Sequence, residues 1–90
     1  VKEIFGAAHR FASKRGHRLF VGEIGCAEDP SDSTAKGRWI ANAFDTFKAW
    51  DVAAVLWANV SRTEGNYRVD TSSASLSAYK QAGGMRFYDR

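Results

Sequence analysis

The 90-residue chain has a single cysteine, Cys26, which excludes a disulfide framework and a paired-thiol zinc site. Its two histidines, His9 and His17, are eight residues apart without an acidic or thiol partner nearby, a poor metal pair. There is one proline and there are eight glycines, too few for a collagen-like or proline-rich chain. The composition, 44% hydrophobic and 26% charged, is that of a globular protein and excludes disorder. Long hydrophobic runs are missing too. The longest, VAAVLWANV, has nine residues, against the roughly 20 that span a bilayer, so no membrane association is expected. No secretory signal pattern is visible and the first residue is not Met, so the compartment stays open. VKEIFGAAHRFA reads as helix from the outset with no capping residue before it, as a segment cut from something longer would.

Acidic residues are the minority, and the net charge is +3. The basic excess lies in HRFASKRGHR, residues 9–18, with Arg10, Lys14, Arg15 and Arg18. Nucleic acid is the partner that such a cluster raises. No aromatics alternate with these charges in a stacking pattern, however, and cations near a helix C-terminus complement its partial negative charge. A solvated helix end is the expected reading, without nucleic acid. Aromatics make up 13% of the chain, more bulky anchors than so small a core needs. They imply a tightly filled interior or a surface that something else covers.

One small domain spans residues 1–90. Residues 2–15 put Ile4, Ala8 and Phe11 on one helical stripe, with Phe5 and Ala12 beside it. Gly16 is placed to stop that helix in a left-handed turn. RLFVGEIGC is apolar on both faces, as in a parallel strand covered by helices, and predicts a strand over about 18–25. Asp32 or Ser33 can cap a helix running from Thr34 to Trp50, in which Trp39, Ile40, Ala43, Phe44 and Phe47 recur at helical spacing. DVAAVLWANV predicts a second buried strand over about 52–59. SRTEGNYRVDTS reads as a polar loop, Ser72 or Ser73 as the cap of a last helix, and Gly83–Gly84 as its end. The tail MRFYDR has no assignment. The fold class is therefore α/β in α-β-α-β-α order: two βα units with parallel strands. Two strands cannot hide both faces and both edges, so the pattern describes part of a larger sheet or barrel.

GEIGCA holds Gly-x-x-Gly but neither phosphate-cradling glycine motif. A calcium loop from Asp29 would need glycine at position 34 and a carboxylate at position 40, which hold Thr34 and Ile40. Cys26 has no histidine after residue 17 to activate it and reads as a small packing residue. Glu23 is different. Alternation puts Leu19, Val21 and Glu23 on one face, with the carboxylate at the C-terminal end of a parallel strand, where ligands collect. Buried carboxylates are paired or functional, and an ion pair with Arg18 or Arg62 is the structural alternative. Trp57 and Asn59 share the outgoing end of the second strand. An indole beside a carboxylate suits a sugar, the ring stacking on its apolar face, with Trp57 as ordinary core filler the competing account.

FVGEIGCAEDPSDSTAKGRWIANAFDTFKAW, VAAVLWANV and GNYRVDTSSASLSAYK together resemble the last quarter of a (β/α)8-barrel glycoside hydrolase, of the β-mannanase and endoglucanase kind. The resemblance covers about residues 16–82. It rests on Glu23-Ile24-Gly25 ending a strand, on Trp39-Ile40 in the next helix and on Trp57 with Asn59 after the next strand. Arg68-Val69-Asp70-Thr71-Ser72 then leads into the last helix. Ala58 stands where such enzymes often have a second aromatic, and Asn66-Tyr67 where they often have Asp-Trp.

The resemblance implies retaining hydrolysis of a β-linked mannan or glucan, without cofactor or metal. Glu23 would be the nucleophile, Trp57 the sugar platform and Asn59 a hydroxyl contact, with Arg62 and Tyr67 lining the subsite. The acid/base carboxyl comes from a fourth strand that this chain does not contain, so the chain alone is expected to be inactive. The implied partners are an oligosaccharide or polysaccharide and either the N-terminal part of the barrel or further copies of the chain. The alternative is a small α/β domain without catalysis that self-associates, through Phe20, Ile24, Leu56 and Trp57, or binds carbohydrate.

Overall fold

The computed structural model describes residues 1–88. The chain is mixed α/β. Helix α1 (Lys2–Lys14) leads to strand β1 (Phe20–Ile24), helix α2 (Ala35–Ala49) and strand β2 (Ala54–Trp57). A short hairpin follows, β3 (Ser61–Arg62) with β4 (Gly65–Asn66), and then helix α3 (Ser73–Gly83). β1 and β2 pair in parallel, with Phe20 opposite Ala54 and Val21 opposite Val55. Among the described residues no third strand joins them. Both strands are shorter than the sequence suggests, because pairing lasts only as long as both are extended.

The stop signals act locally. Gly16 takes φ 69°, the left-handed conformation that a Cβ disfavours, and turns the chain out of α1. Ser72 caps α3 by accepting from the Ser75 amide at 3.1 Å. At the start of α2 the cap residue is Thr34, not Ser33 or Asp32. Asp32 holds the turn from outside the helix, its Oδ1 accepting from the Thr34 amide and hydroxyl.

The core forms between the strand pair and α2–α3. Val21, Ile24, Ile40, Ala43, Phe44, Phe47, Val52 and Ala82 are buried together. α2 and α3 approach so closely that Gly37 has no room for a side chain: a Cβ there would lie 2.8 Å from the Ala74 carbonyl oxygen. Strand burial on both faces, expected from the continuous apolar runs, is not found. The helices cover one face only, leaving Phe20 57% and Leu56 54% exposed on the other.

The packing face of α1 also differs from expectation. Phe5 meets Phe47 edge-on at 6.0 Å, and His9 stacks on Trp50 at 4.3 Å with the rings 8° from parallel. Ile4 and Phe11, of the expected stripe, are exposed. Aromatic contacts with Trp50 outweigh the aliphatic stripe, so α1 turns toward the end of α2.

The unassigned tail closes the core from below. Tyr88 packs edge-on against Phe44 at 5.2 Å and donates its hydroxyl proton to the Phe44 carbonyl; Asp89 and Arg90 lie outside the described residues. Burial, with the Asp45 charge adding to it, pushes the Tyr88 phenol up to about 12. An unfolded tyrosine ionises near 10, so in that range the unfolded chain loses its proton first. Stability should therefore fall as pH climbs from about 10 toward about 12. Urea titrations at pH 8 and at about pH 11 should show this loss in the wild type and a smaller one in Tyr88→Phe.

Candidate active site

The site lies beyond the C-terminal ends of β1 and β2. An extra residue in β1 shapes it. Val21 pairs with Val55 and Ile24 with Trp57, so three steps along β1 match two along β2. This bulge breaks the alternation that would put Val21 and Glu23 on one face. Val21 and Ile24 both enter the core, while Gly22 and Glu23 are exposed. Glu23 is thereby released from the helix-covered side.

Its carboxylate meets Arg62, whose Nη2 donates to Glu23 Oε1 at 2.7 Å. Arg62 comes from β3, so the hairpin brings the cation back over the strand end. Both side chains are about half exposed. Such a pair contributes at most about 1 kcal/mol, so it orients the carboxylate more than it stabilises the fold. The other candidate arginine, Arg18, is engaged elsewhere. It bonds the carbonyls of Asp51 and Val52 and the Asp51 carboxylate at the opposite end of the strands.

Trp57 does not share a cavity with Glu23. Its ring packs against Trp39, Phe44 and Tyr79 on the helix-covered side, and its Nε1 donates to the Tyr67 carbonyl at 2.7 Å. The bulge is the reason: Trp57 follows Val55 by regular alternation on β2, and the extra residue in β1 sets Ile24 opposite it in place of Glu23. Asn59 Oδ1 accepts from the Val69 amide at 2.9 Å and pins the loop that precedes α3. Tyr67 does reach the mouth. Its ring lies so close over Gly25 that a Cβ there would sit 3.0 Å from the Tyr67 Cγ. Gly65 receives the other end of the ring in the same way. The structure thus brings Glu23, Arg62 and Tyr67 to one end of the sheet, with Asn59 shaping the loop and Trp57 supporting it from behind.

Lys36, which the sequence reading passed over, is 1% exposed, yet it carries an amine. Its Nζ donates to the Arg68 carbonyl at 2.6 Å and to Thr71 Oγ1 at 2.8 Å, and Thr71 in turn donates to Glu28. This chain ties the loop after β1 to the loop before α3. Burial lowers the Lys36 pKa, with Glu28, Cys26 and Asp70 opposing the shift. Its signal was present: Lys36, Ile40, Ala43 and Phe47 fall on one helical face. Cys26 lies beside this cluster. Burial raises its thiol pKa, which suits a packing residue and not an activated nucleophile.

The remaining acids in these loops have partners of their own. Asp29 accepts from the amide and hydroxyl of Ser31, and Asp70 pairs with Arg68. Arg38, at 2.7 Å, holds the Asp32 carboxyl well below the usual carboxylate range, helped by the Thr34 bonds. Among the described residues no cluster of three or more His, Cys, Asp or Glu could hold a metal. A cleft of about 380 Å³ beside Val52, Val55, Tyr79 and Tyr88 opens at the N-terminal end of β2, away from Glu23. It takes no part in the site.

No protein-family model matches the chain, and no curated protein matches it. The site geometry supplies one oriented, solvent-accessible carboxylate at a strand end, an arginine on one of its oxygens and a tyrosine alongside. Among the described residues no second carboxyl group stands at the C-terminal end of the other strand of this sheet.

Proposed function

We propose that the chain is the C-terminal segment of a (β/α)8-barrel glycoside hydrolase that cleaves a β-linked mannan or glucan with retention. The observation that carries this reading is the one-sided covering of the strand pair. In such a barrel the helices form the outer ring, the inner face is apolar, and reacting groups sit at the C-terminal ends of the strands. Here α2 and α3 lie on one face, Phe20 and Leu56 occupy the other, and Glu23 stands free of the helix side at the C-terminal end. The exposed Ile4 and Phe11 of α1 also fit a helix with a neighbouring unit beside it.

In this reading Glu23 attacks the anomeric carbon and forms a glycosyl ester. Arg62 fixes Oε1, leaving Oε2 as the attacking atom. Tyr67, whose ring is seated over Gly25 and Gly65, borders the subsite with Arg62, and Asn59 holds the loop that carries Tyr67. Trp57 buttresses that loop and is not the sugar platform. The acid that protonates the leaving oxygen stands about 5 to 5.5 Å from the nucleophile in a retaining enzyme and belongs to another strand. The 90 residues alone should not turn over.

The test is to read the coding frame upstream of Val1 and express whatever it encodes with this segment. The expected product contains further βα units and hydrolyses mannan or glucan with retained anomeric configuration. Glu23→Ala should then lose at least about 10³-fold in kcat, while a 2-fluoro glycoside inactivator should label the peptide holding Glu23. A frame without βα units, or full activity in Glu23→Ala, would sink the reading.

A further inference from the structure

Two bulky apolar side chains, Phe20 and Leu56, project from the strand face that the helices leave uncovered. Between them the face is flat, since Gly22 and Ala54 carry almost nothing, and the Phe20 ring leans across Gly22. Arg18 shares this side with Phe20 by alternation. The charges around the face follow a pattern. At the C-terminal end the acid is on β1 and the arginine follows β2, as Glu23 and Arg62. At the N-terminal end the order is reversed, with Arg18 before β1 and Asp51 before β2.

We propose that a second copy of this chain covers the face, forming a two-fold dimer in which the open sides of β1–β2 pack together. The charge pattern singles out this occupant. A balanced face offers no field of one sign to a nucleic acid or an anionic membrane. It is self-complementary instead. With the two-fold axis along the strands, Glu23 meets Arg62 of the partner subunit. With the axis across them, Glu23 meets Arg18 of the partner subunit. Either way acids face arginines at every corner, as an interface formed by one patch with itself requires. The apolar centre then packs as two sheets do, about 10 Å apart. Ile24 and Trp57 take no part, because the bulge turns Ile24 toward the helices and regular alternation from Val55 turns Trp57 the same way.

Two short strands offer well under the roughly 800 Å² per partner of a standard interface, so the dimer is weak, with Kd in the range of roughly tens to hundreds of micromolar. In a complete barrel this same face would look inward, so the dimer belongs to the 90-residue chain by itself. The hydrolase reading is tested on the longer reading frame and this proposal on the 90 residues, so each can fail without the other.

The experiment is sedimentation velocity of the chain from about 10 µM to about 1 mM, with circular dichroism to confirm folding of each variant. The wild type should pass from monomer to dimer and stop there. Leu56→Lys should weaken association at least about tenfold and Arg62→Glu by several-fold, while Ile4→Lys, on the exposed side of α1, should leave it unchanged. Should Leu56→Lys not fold, Phe20→Lys and nuclear Overhauser contacts between Phe20 and Leu56 of differently labelled wild-type copies answer the same question. A monomer throughout, a dimer undiminished by Leu56→Lys, equal weakening by Ile4→Lys, or growth past the dimer through the strand edges would each overturn the proposal.

Discussion

Gly37→Val should lower the unfolding free energy by about 4 kcal/mol, and Gly37→Ala by about 2 kcal/mol. Helix propensity alone predicts the opposite sign, since alanine is favoured over glycine by about 1 kcal/mol inside a helix. Contact decides. The Cβ would meet the Ala74 carbonyl oxygen at 2.8 Å and its carbonyl carbon at 2.9 Å. Both are backbone atoms of α3, so relief requires moving a whole helix. At roughly 4 to 8 °C per kcal/mol for a chain this size, Gly37→Ala should cost about 10 °C in Tm. Gly83 provides the internal control. A Cβ there meets nothing within 4 Å, so Gly83→Ala should be neutral or raise Tm slightly. If thermal melts showed the two alanine variants behaving alike, the close approach of α2 and α3 would be wrong.

Lys36→Met should cost about 2 kcal/mol and Lys36→Ala about 4 kcal/mol. Methionine keeps the buried stem but removes the donor, leaving the Arg68 carbonyl and the Thr71–Glu28 pair without their cation. Alanine adds a cavity. The pH dependence separates this account from packing alone. Burial lowers the Lys36 pKa below its ordinary 10.5, so the unfolded chain holds that proton more tightly than the fold does. Wild-type stability gains from Lys36 as pH rises from the lowered value toward 10.5. The gap between wild type and Lys36→Met should therefore widen between pH 7 and about pH 10 in urea titrations. A gap that stays constant would mean the amine's charge is not felt in the fold.

What the sequence made legible was local. Helix stops and caps at Gly16 and Ser72 and the apolar stripe of α2 need only neighbouring residues, and they stand where periodicity puts them. The order of three helices and two parallel strands was also readable, because continuous apolar runs separated by capped helices leave few alternatives. Facing was not. Whether Val21 and Glu23 share a side depends on one extra residue in β1, which is set by pairing with β2 and not by β1 itself. The same bulge took Glu23 off the side where Trp57 packs among the helices, so the expected pairing of indole and carboxylate failed on a tertiary detail. The β3–β4 hairpin was hidden in a polar stretch, although Thr63-Glu64 before Gly65 is a two-residue turn with a following glycine. On α1, the stacking of His9 on Trp50 chose the face, and no pattern within α1 encodes that choice.

The bulge gives β1 three steps where its partner β2 takes two. Pairing the same residues without the bulge would set Glu23 opposite Trp57 on the helix-covered side and turn Ile24 to the open side, because strict alternation would carry on from Val21. The surplus residue is thus what lets one short strand send both Val21 and Ile24 into the interior while the carboxyl group between them stays in water.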